Sequence, residues 1–590
     1  MSGSGEFMKD EERYKITSNE YADLMIEYNG DINLFNNLAN TTVNIIDNQF
    51  ATVHAPLANI TPSSIYKFGF ISVPNCYQLM SSPGFELSGF QSSDFELSGF
   101  QIPGINRNSN VSNYGVSGQG VLVGFVDTGI DYKNDVFKYL NNTSKILSIW
   151  DQTIDSETNY PKDLYYGTEF GQDQINQALN SENPLSVVPS MDDNGHGTML
   201  AGITAGFNNA DYGFKGVAPD AELVIVKLKP AKQYLKDFYF IPKGAICYQE
   251  NDIMFGVKYL LQFAKNLNRP IAICLGLGSA QGAHAGRSIL GGYFSSVGKA
   301  VGTSVVVSAG NEGNRGHHYY NELSSTIKQD TIELNVGVNE SGFSMELWAN
   351  SPHTFSVDII APTGESIAQI AVALGQTRTI QLSYEDTTIF VDSQIKRLVT
   401  GDQLILFRFQ NPMAGVWKLE INGNGDLPMT FHIWLPTSEF ITKGTYFLNP
   451  NPFTTITSPG NIEEPITVTA YNQENQNLYL NASKGFTALN KPKPDIAAPG
   501  VNIYCPTIDN KFAISTGTGM AAAHITGVAA MLFEWGIIKG NHISMSSLEV
   551  KRMLILSAQR DPTITYPNPY WGYGILDVYT LFDYIRNELI

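Results

Sequence analysis

Short apolar runs that stop at turn residues recur along this chain, and they predict buried strands. Val121 to Val126 is one such run, closing at Asp127-Thr128-Gly129. A continuous apolar run bounded by turn residues suits a parallel strand covered on both faces. It would deliver Asp127 to the carboxyl end of that strand, where open α/β sheets hold their ligands. Val305-Val306-Val307 ends likewise at Ser308-Ala309-Gly310-Asn311, and Ile466 to Ala470 reads as a further strand. Between them Asp193-Asn194-Gly195-His196-Gly197-Thr198 leads into a helix-like Met199 to Ile203, and another helix-like stretch follows His524. Strands alternating with helices predict an α/β class, a parallel sheet with helices on both faces, over 105–325 and 437–590.

Two regions break that pattern. From Thr326 to Pro436 the period changes to two, as in Thr331 to Val336, Phe355 to Ile360 and Val416 to Ile421, with Gly, Pro and Asn turns between them. This predicts an all-β insert over 326–436, a sandwich or jelly roll. Residues 9–80 read as a small α+β unit. It has a strand at Ala22 to Tyr28, a short helix at Leu34 to Leu38, and strands Val43 to Ile46 and Phe50 to His54 flanking an Asp47-Asn48 turn. A helix at Ile60 to Phe68 and a closing strand at Phe70 to Pro74 complete it. Residues 81–104 read as a linker, in which Phe85 to Gln91 recurs as Phe95 to Gln101; two copies are too few for a solenoid.

Composition narrows the setting. At 590 residues two or three domains are expected, and 43% hydrophobic content suits a packed protein. A net charge of −19 argues against nucleic acid and anionic membrane surfaces as partners. Cys76, Cys247, Cys274 and Cys505 have no framework spacing, so disulfides are not expected, and Cys274 reads as a small buried hydrophobe. Residues 1–8 read as a cloning remnant ahead of a start at Met8, and no export signal follows, which leads to the expectation of an intracellular or spore-associated protein. No uninterrupted apolar run is long enough for an expected membrane span.

The motifs carry the chemistry. The Asp127-Thr128-Gly129 turn, the Asn194-Gly195-His196-Gly197 segment, the Ser308-Ala309-Gly310-Asn311 strand end and the stretch Ser515 to His524 occur in that order. Together they resemble the subtilisin-like serine proteases, the subtilases. Pro494 to Gly500 resembles the family's P-D-I-x-A-P-G stretch, and Gly572 to Asp577 its closing turn. The resemblance implies roles. Asp127 orients the imidazole, His196 is the general base, and Asn311 donates to the oxyanion. Gly276, Leu277 and Gly278 lie where the family pairs its substrate strand, usually S-L-G. The α+β unit then reads as a propeptide, and protein or peptide in the groove, including that propeptide, as the partner. Propeptide, β insert and the absence of an export signal together resemble the Csp proteases and pseudoproteases of clostridial spore germination.

The departures matter as much. In G-T-S-M-A-A-P-H the attacking serine falls on Gly519, which has no side-chain oxygen and cannot form an acyl-enzyme. Gly276 replaces a serine, and Ala523 a proline. Thr518 and Ser515 are nearby hydroxyls at the wrong positions. The favoured expectation is a pseudoprotease that regulates germination; the alternative is a working endopeptidase trapped by a Ser-to-Gly substitution. No cofactor is expected. His317-His318 lacks a spaced partner for a metal, and His54, His284, His318, His432, His524 and His542 read as structural histidines.

Overall fold

The computed structural model describes residues 12–31, 41–59, 73–82, 85–86, 115–207, 214–350, 352–370, 377–384, 386–395 and 402–587. The expected helices at Leu34 to Leu38 and Ile60 to Phe68, residues 1–8, and most of the linker with its repeat lie outside these.

The α/β part of the fold is built on an eight-stranded sheet. Its order runs Ile496–Pro499, Ile466–Tyr471, Thr303–Ser308, Ile271–Leu275, Leu122–Asp127, Glu222–Lys227, Ile146–Asp151, Thr168–Gly171. All neighbours are parallel except the last pair. The apolar runs are continuous because both faces are covered. Val123 and Phe125 enter one core with the helices His196–Ala205 and Thr518–Phe533, while Leu122 and Val126 enter a second core with Glu250–Leu267 and Ile289–Lys299. Cys274 and Val306 face the first core, Ile273 and Val307 the second, so the strands share one alternation. The Leu122–Asp127 strand sits near the sheet's middle, which places Asp127 over the central crevice.

Two further β layers pack face to face around their own core, with Phe343, Met345, Phe407, Trp417 and Phe431 among its members. Their paired strands begin at His318, ahead of the expected start at 326, and include Tyr446–Phe447, which pairs with Leu334 and Asn335. The N-terminal sheet has the order Tyr21–Glu27, Phe50–Pro56, Thr42–Ile45, all antiparallel. Its turn is set by Asp47, whose Oδ1 accepts the N–H groups of Gln49 and Phe50 at 2.8 Å each. Residues 70–72 of the expected closing strand at Phe70 to Pro74 lie outside the described residues; the strand Cys76–Leu79 pairs with the core and not with the N-terminal sheet.

One helix is apolar on every side, though polar residues interrupt its sequence. Thr518–Ile538 is long and apolar enough, by length and composition, to cross a membrane, and 83% of its apolar window is buried inside the protein. A helix that is apolar all round suits a core position.

Candidate active site

Asp127 and His196 come together through their local motifs. Asp192 caps the His196 helix, its Oδ1 accepting the Gly195 N–H at 2.8 Å and its Oδ2 the Thr198 N–H at 2.9 Å. The Gly197 N–H donates to Thr128 Oγ1 at 2.9 Å, and a Cβ on Gly197 would lie 2.2 Å from the Gly129 carbonyl. The two motifs therefore touch backbone to backbone, which only glycine permits. The result is a His196 Nδ1–H donated to Asp127 Oδ1 at 2.6 Å, with both side chains buried. Thr128 N–H also donates to that Oδ1, at 2.8 Å. Among the described residues, Asp127 Oδ2 and His196 Nε2 are buried without a hydrogen-bond partner.

Gly519 lies in the first turn of the Thr518–Phe533 helix, facing the free edge of His196. A Cβ at 519 would stand 3.5 Å from His196 Nε2. The nearby hydroxyls are committed elsewhere. Thr518 Oγ1 donates to Asn311 Oδ1 and accepts the Gly310 N–H, each at 3.1 Å, and Ser515 Oγ donates to the Ser82 carbonyl at 2.9 Å. Asn311 is buried, and its amide oxygen also takes the Thr518 N–H at 3.1 Å, which fixes the orientation of that amide.

The chain's own residues 76–82 and 85–86 lie in this site. Upstream of the centre, Leu79 pairs with Leu277, Gln78 with Gly278 and Tyr77 with Tyr248, so 76–79 is the middle strand of three. The Met80 N–H donates to the Gly276 carbonyl at 2.7 Å. The Met80 carbonyl accepts the Gly519 N–H at 2.9 Å, and a Cβ at 519 would be 3.4 Å from the Met80 carbonyl carbon. Downstream, Ser82 N–H donates to the Thr516 carbonyl at 2.9 Å, and Phe85–Glu86 adds a strand to Phe512–Ser515. The Met80–Ser81 bond therefore sits where a scissile bond would. The expected boundary between the N-terminal unit and the linker falls at 80/81; the backbone partners of this segment leave no side-chain signature and were not read from the sequence.

Buried charge ties the N-terminal sheet to the core beside the groove. Asp23 Oδ1 accepts Lys232 Nζ at 2.6 Å and His54 Nδ1 at 2.7 Å, and its Oδ2 accepts Gln249 Nε2 at 2.6 Å. Burial pushes the Asp23 carboxyl up, but Lys232 and His54 outweigh it and hold it well below its usual range. Burial also drives Glu250 up to about 7, against N–H groups from Asn75 and Leu290 that favour its charge. His54 thus holds Asp23 within the N-terminal sheet, while Lys232 and Gln249 grip it from the core. His284, His318 and His432 stack on Trp434, with ring centroids 4.2, 5.0 and 4.8 Å from the indole. His317 faces Glu312 at 3.1 Å while His318 faces His432 at 2.9 Å, so the adjacent pair points apart. Among the described residues no group of three His, Cys, Asp or Glu side chains could hold a metal. The four cysteines are free and buried.

Comparison with known proteins agrees with this geometry. The Subtilase family profile matches residues 118–385 and 422–574. C5a peptidase of Streptococcus pyogenes is 22% identical over 434 residues, covering 70% of this chain and 35% of that protein. The chain thus spans about a third of the length of the curated relatives it matches first. A thermophilic serine proteinase of Bacillus sp. (strain AK1) is 29% identical over 90 residues, 15% of this chain and 20% of that protein. The structure of the Clostridium perfringens CspB protease superposes with a TM-score of 0.71 at 30% identity, covering 81% of this chain and 97% of that one. The chain belongs to the subtilase family, on a scaffold of the CspB type.

Proposed function

We propose that this protein is a catalytically inactive subtilase, a pseudoprotease of the Csp type that regulates spore germination by binding rather than cutting. One observation carries the reading: the residue facing His196 Nε2 is Gly519, and a hydroxyl on a side chain there is what the chemistry lacks. In subtilisin, loss of the serine costs roughly 10⁶-fold in turnover and leaves only about 10³–10⁴ over water. Asp127 and His196 still hold an orienting carboxylate and a base in contact, and the Gly519 N–H still grips a carbonyl as an oxyanion donor does. With no nucleophile for the base to activate, the groove binds a peptide and leaves it whole. A spore-associated location accompanies the proposal, since it follows from the Csp likeness.

The test is hydrolysis of casein and a fluorogenic peptide panel, with intact mass of the purified chain. No turnover above buffer and an uncut Met80–Ser81 bond are expected. Turnover that vanishes in a His196→Ala variant would overturn the reading. The second reading, a native endopeptidase trapped by substitution, is favoured by the close Asp127–His196 contact. A serine codon at position 519 in the source gene would establish it.

A further inference from the structure

The site differs from a working one at a second place, and that place is filled. A Cβ on Gly276 would lie 2.6 Å from Leu200 Cδ1 and 2.8 Å from His196 Cε1, both closer than real Cβ contacts allow. Leu200 is fully buried one turn along the helix that starts at His196, so it cannot simply swing into solvent. The same Cβ position is 3.4 Å from Asp127 Oδ2. That oxygen is buried and without a partner, whereas Oδ1 already takes the His196 ring and the Thr128 N–H. A buried carboxylate oxygen left bare is costly, and a carboxylate fixed through one oxygen is less firmly oriented than one fixed through both.

We infer that Gly276 and Leu200 are a compensated pair of positioning residues, in which Leu200 occupies the room of a side chain at 276 and leaves Asp127 Oδ2 without its donor. The inference rests on residue 519 standing at the nucleophile position, and it goes further. Supplying a hydroxyl at 519 alone returns a site with a loosely held Asp127. Supplying one at 276 as well helps only if Leu200 is cut back and the His196 ring, whose Cε1 lies 2.8 Å from that Cβ position, shifts into the space this opens. A single-residue trap would leave the rest of the site untouched, so this pair favours an inactivity that belongs to the natural protein.

The experiment follows Met80–Ser81 cleavage by intact mass during refolding from denaturant. Four chains are compared: Gly519→Ser alone; with Gly276→Ser; with Gly276→Ser and Leu200→Ala; and with Gly276→Ala and Leu200→Ala. The second is expected to cleave more slowly than the first. The third is expected to exceed the first by about ten- to a hundredfold, the worth of one hydrogen bond to a carboxylate. The fourth lacks the hydroxyl and falls short of the third, which separates donor from filler. Equal rates in the first and third chains, or in the third and fourth, overturn the inference. Melting of the Gly519 parent gives a second readout that needs no activity. Gly276→Ala and Leu200→Ala should each lower Tm, and the double variant should lose less than the sum of the two; additive losses overturn the pairing. Cleavage in the parent itself would instead sink the pseudoprotease reading.

Discussion

The groove and the reaction centre share a few residues yet stand in different states. Along the groove, residues 76–82 and 85–86 are paired on both sides of Met80–Ser81, by Leu277–Gly278 and Tyr248–Gln249 upstream and by Phe512–Thr516 downstream. At the centre, among the described residues, His196 Nε2, Asp127 Oδ2 and Ser81 Oγ are buried without partners. Backbone pairing asks nothing of most side chains beyond room to approach, so it survives their replacement. Proton transfer and acylation ask for one oxygen at one position, so a single change ends them. Peptide recognition and peptide chemistry are therefore separable in this fold.

The largest test of that separation is Gly519→Ser. A Cβ at 519 meets the Met80 carbonyl oxygen at 3.1 Å, tight but placeable with a shift of a few tenths of an ångström. Intact mass should show cleavage after Met80, with a rate at least ~10³-fold over the uncut parent. A single uncut species over days would place further damage outside residue 519. Next comes the groove anchor. Tyr77 is fully buried and within 3.1 Å of Ser458 Oγ, so Tyr77→Ala should cost about 3–5 kcal/mol in chemical denaturation. No loss would show that the segment is not seated. Asp23→Ala should cost a similar amount, about 3–5 kcal/mol, because it strands Lys232 in the interface; if the N-terminal sheet resists limited proteolysis as before, the anchor lies elsewhere.

The smallest effect is a pH dependence. Burial holds His284 down to about 4 and His432 down to about 3. The unfolded chain then binds more protons than the folded one from about pH 6.5 downward, so stability falls as pH falls toward 4. His284 alone contributes on the order of 3 kcal/mol. Glu250, raised to about 7, works the opposite way between pH 7 and its unfolded value of 4.5, and it is outnumbered by the histidines. Melting recorded from pH 7 to 4 checks the sign; a Tm that rises throughout would reject it.

What was legible in the sequence was local. Asp127 and His196 each sit in a motif of a few residues whose glycines permit one close contact, so both the motifs and their meeting could be read. The buried strands were legible because both sheet faces are covered and the runs are unbroken. The rest depended on residues far apart in the chain. Asp23, His54, Lys232 and Gln249 are ordinary residues individually and form a charge cluster only when the N-terminal sheet docks. His284, His318, His432 and Trp434 come from three separate stretches. Leu200 looked like a plain core leucine, and its contact with the Gly276 position is visible only when a Cβ is placed there.

An unbroken peptide between Met80 and Ser81 also has a consequence for competition. The occupant of the groove is tethered, so dilution cannot remove it, and any free peptide contends with a local supply in the millimolar range or above. A competitor of micromolar intrinsic affinity would bind only at concentrations raised by the ratio of that local supply to the tethered segment's own dissociation constant. Cutting the tether on the far side of the N-terminal sheet would change nothing, whereas cutting between 86 and 115 would turn a fixed occupant into one that leaves and returns at a measurable rate.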